Sequence, residues 1–153
     1  MSHKALILTG SLLLLILRSA PADSCDCVTP KPLSNALRSE SPFIFEGKVV
    51  EIVERSEHTT RTTSGGGSGE VRPLGREVVF EVGRAWNGVA SKRISVSAEA
   101  SDCMFPFEID HTYVVFAGKD ATGRPVTSVC SRTSESGEAA DVLARLGPGS
   151  VPK

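Results

Sequence analysis

Cysteine and aspartate alternate at residues 25–27, Cys25-Asp26-Cys27, and two further cysteines stand far along the chain, Cys103 and Cys130. Thiols do three kinds of chemistry: they ligate soft metals, attack electrophiles as thiolates, or oxidise to disulfides. A Cys-x-Cys pair with two widely separated partners lacks the ligand spacing of a structural zinc finger. An even number of cysteines beyond an export-type leader reads as two disulfides, which leaves no free thiol as a nucleophile. Four cysteines allow three pairings, and Cys25 to Cys27 would close a small, strained ring. Both remaining pairings tie the segment at Cys25 to distant parts of the chain, and counting does not choose between them. Each long loop so closed is worth ~4 kcal/mol on the chain-entropy estimate.

Other reactive groups are sparse. Beyond the leader the histidines are His58 and His111, too few for a histidine-built catalytic metal site. Neither a Gly-x-Ser-x-Gly elbow nor a phosphate-cradling Gly-Lys-Ser/Thr loop occurs. The carboxylates Glu108 and Asp110 fall at a turn before a strand, where solvated acids are ordinary. An enzyme is not expected, and no cofactor is implied. The formal charge of −1 comes with no basic stripe, which argues against nucleic acid as a partner.

The elements that must hold the cysteines are mostly strands. Met1 to Lys4 is a basic start and Ala5 to Leu17 an apolar run, followed by small residues at Ser19, Ala20 and Ala22. The run is about 13 residues, short of the ~20 that span a bilayer, so residues 1–24 read as a cleaved secretory signal and no stable membrane insertion is expected. Cleavage fits after Ala22 or after Ser24. A short helix is expected at residues 33–39. Strands are expected at 43–54, with Phe43, Phe45, Val49 and Val53 on one face and a bulge or bend at Gly47, and at 77–86, with Val78, Phe80, Val82 and Trp86 alternating. Further strands are expected at 92–98, 111–118 and 125–130. Residues 55–76, rich in Thr, Ser and Gly, read as a flexible loop. A helix through Ala139, Val142, Leu143 and Leu146 ends at Gly147-Pro148, and residues 148–153 read as a disordered tail. Five strands with short turns predict a mainly β domain over residues 25–147, an antiparallel barrel or sandwich.

Six stretches taken in order carry a resemblance: CDCVTPKP at 25–32, FEGKVVEI at 45–52, VVFEVGRAWNG at 78–88, ASDC at 100–103, HTYVVFAG at 111–118 and SVCSRT at 128–133. Together they resemble the netrin-like domain, and most of all the N-terminal domain of the tissue inhibitors of metalloproteinases. The resemblance implies a five-stranded antiparallel barrel of the oligonucleotide/oligosaccharide-binding (OB) fold with flanking helices. It also implies the pairing Cys25–Cys103 and Cys27–Cys130, and an inhibitory wedge of Cys25, Asp26, Cys27, Val28 and Thr29 flanked by Ser101 and Asp102.

In that family the amine and carbonyl of the first cysteine chelate the protease's zinc in trans. Here that role would fall to Cys25, and Asp26 would enter the specificity pocket. A neutral α-amine, with pKa ~7.7–8.0, and the adjacent carbonyl form a five-membered chelate at an open zinc position. The chelate needs a chain that begins at Cys25. The resemblance thus implies a secreted, monomeric inhibitor whose partner is an extracellular zinc metalloproteinase. In a bacterial cell its place would be the periplasm or the surface. The alternative reading is a non-inhibitory extracellular binding module with the cysteines as anchors.

Overall fold

The structure, a computed structural model, describes residues 25–27, 41–63 and 66–153, without the side chains of 59–63 and 66–70. The expected signal segment 1–24, the helix at 33–39, and Val28 and Thr29 of the expected wedge lie outside the described residues. The chain is mainly β. Strands β1 (Phe43–Thr63), β2 (Gly66–Asn87), β3 (Arg93–Glu99), β4 (Thr112–Lys119), β5 (Pro125–Val126) and β6 (Ser134–Glu135) are followed by a 3-10 turn (Ser136–Glu138) and helix α1 (Ala140–Leu146).

Five of the strands close on themselves. β1 pairs with β2, β2 with β3, β3 with β5, β5 with β4, and β4 with β1; β6 adds to the side of β4. Every pairing in this ring is antiparallel except β3–β5, which is parallel through Ser97 and Val126. The purely antiparallel expectation is corrected here by simple parity. Strand directions around a ring of five cannot alternate at every step, so one seam must be parallel.

The ring separates two apolar layers. Phe45, Val49, Val78, Phe80, Val96 and Val115 point inward. Ile44, Val114, Phe116, Ala139 and Leu146 form a second cluster outside, where α1 covers β1 and β4. The expected alternation holds between bulges and shifts at them. In β1 an extra residue at Val50 opposes the step from Phe80 to Val79, so the strand changes parity. Ile52, rather than the expected Val53, then packs on the core, and Val53 is 44% exposed. In β2 extra residues at Gly83 and Trp86 put Ala85 inside and send Trp86 outward. There the indole packs under α1 and its Nε1–H donates to the Gly147 carbonyl at 2.9 Å. The bend expected at Gly47 coincides with a register shift, and a Cβ there would stand 3.0 Å from the Glu81 carbonyl oxygen.

Two segments expected to be irregular make backbone pairings. Residues 55–63 and 66–76 continue β1 and β2 as an antiparallel ribbon, paired out to Thr63 and Gly66, where a flexible loop was expected. Backbone ladders need no apolar side chains, so a Thr- and Gly-rich composition does not prevent them. The tail expected to be disordered is docked. Ser150 makes two backbone hydrogen bonds of 2.8 Å with Ala85, adds one through its hydroxyl at 3.1 Å, and Pro152 is buried. The bulges near Ala85 leave its backbone groups turned away from the ladder, where the tail satisfies them.

Candidate functional site

The seam parity decides where the cysteines meet. Because β3 and β5 run parallel, their C-terminal ends lie at the same end of the ring. Cys103 stands four residues beyond Glu99 and Cys130 four residues beyond Val126, so both emerge there. Cys25 bonds Cys103 and Cys27 bonds Cys130, with Cα separations of 5.5 and 5.1 Å. This is one of the two connectivities that counting leaves open. The two anchor segments are also joined directly, by Val129 N–H donating to the Cys103 carbonyl at 2.9 Å.

Between its two bridges the segment turns tightly. The Cys27 N–H donates to the Cys25 carbonyl at 2.9 Å, a three-residue turn that leaves both cysteines half-buried and Asp26 exposed. One lone pair of the Cys25 carbonyl is engaged by that bond and a second remains. Ser101 and Asp102 are exposed in the turn before Cys103, which the Met104 N–H closes on the Ser101 carbonyl at 3.0 Å. Of the residues expected in the wedge, the structure places Cys25, Asp26, Cys27, Ser101 and Asp102 about one disulfide.

Two supports of this end are hard to see in the sequence. The first is aromatic. Phe105 and Phe107, directly after Cys103, enter a cluster with Tyr113 and Phe80; the Phe80–Phe107 and Phe107–Tyr113 centroids are 5.2 and 5.0 Å apart, both edge to face. Such pairs add ~0.5–1.5 kcal/mol each beyond area burial. The second is a hydroxyl network. Buried Thr127 donates to the Phe116 carbonyl at 3.1 Å and lies 2.8 Å from Ser131 Oγ; buried Thr133 accepts the Phe116 N–H at 3.0 Å. β5, expected to reach residue 130, stops at Val126 because these side chains satisfy β4 where the ladder would have continued. They fasten the turn that carries Cys130.

His111 is exposed. Its Nδ1 lies 3.0 Å from Glu135 and its Nε2 3.6 Å from Glu108. Asp110 adopts a left-handed φ of 66° and pairs with Lys48 at 3.1 Å. Its N–H donates to the Val49 carbonyl, and the Val49 N–H donates to the His111 carbonyl, each at 2.9 Å, which hooks this turn onto β1. Among the described residues no group of three or more His, Cys, Asp or Glu is placed to hold a metal ion, and no helix is long and apolar enough to cross a membrane.

No family model matches the chain, and no curated protein matches it. The resemblance to netrin-like domains therefore rests on the ordered stretches quoted above alone.

Proposed function

We propose that this chain is a secreted inhibitor of an extracellular zinc metalloendopeptidase, with its ring of strands an OB-type barrel of the netrin-like kind. The inhibitory group is the amine and carbonyl of Cys25, exposed once the leader is cut between Ser24 and Cys25. The observation that carries the reading is the doubly stapled Cys25-Asp26-Cys27 turn, which offers Asp26 to solvent beside Ser101 and Asp102. A wedge fixed by two disulfides loses little freedom on binding, so less ordering entropy opposes the complex. The amine and the remaining lone pair of the Cys25 carbonyl would displace the zinc-bound water of the target.

The test compares protein beginning at Cys25 with protein that retains Ser24, each titrated against a panel of zinc endopeptidases. Retention turns the amine into an amide, and the expected loss is at least ~100-fold, about 2.8 kcal/mol. Equal inhibition by both forms would refute the zinc clasp. No inhibition by either would leave the second reading, a non-inhibitory extracellular binding module. One observation favours that reading: Asp26 would carry a carboxylate into the target's pocket, at a desolvation cost of several kcal/mol unless it meets a partner there.

A further inference from the structure

Three arginines from three elements line one open cleft of about 330 Å3: Arg55 of β1, Arg72 of β2 and Arg124 just before β5. Leu74, Glu99 and Ala100 also line it. The ribbon builds this cleft through its register. Glu57 opposes Arg72 and lies two residues from Arg55, so Arg55 and Arg72 share a face. A register shift between Arg55 and Ser56 leaves Leu74 extra in β2, beside Gly75 at φ +110°. A Cβ on Gly75 would stand 2.1 Å from the Ala98 carbonyl oxygen, so only glycine permits this approach of β2 to β3. The Leu74 carbonyl there accepts the Ala100 N–H at 3.4 Å, which brings the arginine-bearing face over the end of β3.

The guanidinium groups are incompletely used. Arg55 donates through Nη2 to Ser97 Oγ at 2.7 Å, but its buried Nε makes no hydrogen bond, with Glu77 Oε2 3.9 Å away. Arg124 spends Nε on Asp120 and Thr122, at 2.9 and 3.0 Å. Arg72 is exposed and makes no hydrogen bond or ion pair among the described residues. Glu99 is the acid among the lining residues; Arg124 is paired with Asp120 and Arg55 stands near Glu77, so Arg72 is the lining guanidinium that has no carboxylate partner among the described residues. Planar guanidinium forks bind carboxylates and other oxyanions through paired, charge-assisted hydrogen bonds. Leu74, 40% exposed, offers an apolar shelf beside them.

We propose that this cleft is an oxyanion site that receives a glutamate or aspartate side chain from an acidic segment of a partner protein. The shelf suits the methylenes of such a side chain, which a free inorganic anion lacks. The site lies in sequence beside Ser101 and Asp102 but does not depend on the zinc clasp, and its test involves no protease.

The experiment titrates isotope-labelled, disulfide-intact protein with an acetylated peptide of alternating Glu and Gly, reading the arginine Nε–H and the Leu74 and Ala100 amide resonances. Saturable shifts confined to these residues are expected, with no such shifts from the Gln-for-Glu peptide. Arg72→Gln is expected to weaken binding by roughly 10-fold, the scale of one charged hydrogen bond, and Arg72→Lys to restore part of it. Arg72 is exposed, so an otherwise unchanged spectrum verifies that the variant is folded. Equal binding of the two peptides, or an unchanged affinity in Arg72→Gln, would overturn the site. Inorganic phosphate serves as a competitor. Displacement only at a large excess over peptide supports the partner carboxylate, and tighter binding of phosphate than peptide overturns that assignment.

Discussion

Tyr113, the chain's single tyrosine, reports on the end of the ring that carries the cysteines. Burial holds its phenol above the ordinary value, the Glu108 N–H donated to its oxygen acts the other way, and the charges of Glu108 and Glu135 add to the rise. A tyrosine is neutral when protonated, so a raised folded value favours the folded state. That contribution is full below the unfolded pKa of ~10 and is lost as pH rises through the folded one. Absorbance titration at alkaline pH should therefore give a midpoint above that of the urea-unfolded chain; coincident midpoints would contradict the burial. Asp120 has the opposite sign. The Thr122 hydroxyl and the Arg124 backbone N–H hold its carboxylate well below the usual range, so its contribution is full above the unfolded pKa of ~3.9, declines as pH falls below that value and is gone once pH has passed through the depressed folded one. At this scale the cysteines were legible in the sequence and the threonines were not. Thr127 and Thr133 look like ordinary strand or turn residues, and only the fold brings both to the Phe116 backbone.

Among the elements, the strands of the ring were legible because apolar alternation over a short run fits a half-buried strand and little else. Their faces were legible only as far as the first bulge. Val50, Gly83 and Trp86 each add one residue, and no local pattern distinguishes an extra residue from a paired one. The ribbon was read as a loop because its composition lacks apolar residues, whereas its strand pairing is made by the backbone and by the approach at Gly75. Gly75→Ala should cost at least ~2 kcal/mol, since the new methyl meets the Ala98 carbonyl and the backbone is left-handed. Gly137→Ala is the control. No atom lies within 4 Å of its added methyl, and the change should stay within about 0.5 kcal/mol. Urea unfolding of the two variants compares them. In Gly75→Ala the amides of Ala100 and Ser101 should shift as well, because the same contact sets the path into the Ser101–Asp102 turn.

For the molecule as a whole, the bridges close spans of 78 and 103 residues, and neither pairing partner was fixed by spacing alone. Cys27→Ala combined with Cys130→Ala should lower stability by ~3–4 kcal/mol, read as a lower urea midpoint. An unchanged midpoint would mean that the hydroxyl network and the aromatic cluster hold that end unaided. Ring closure has a consequence for self-association. β1 is flanked by β4 only over Phe43–Lys48, and β2 by β3 only over Gly75–Glu81, so the ribbon beyond them presents an open hydrogen-bonding edge on each side. Such edges invite a second chain to add as a strand, the usual first step of sheet-to-sheet aggregation. Pro73, which has no amide hydrogen, and the charged residues Arg55, Glu57 and Arg72 stand on the exposed length, and they make it a poor template.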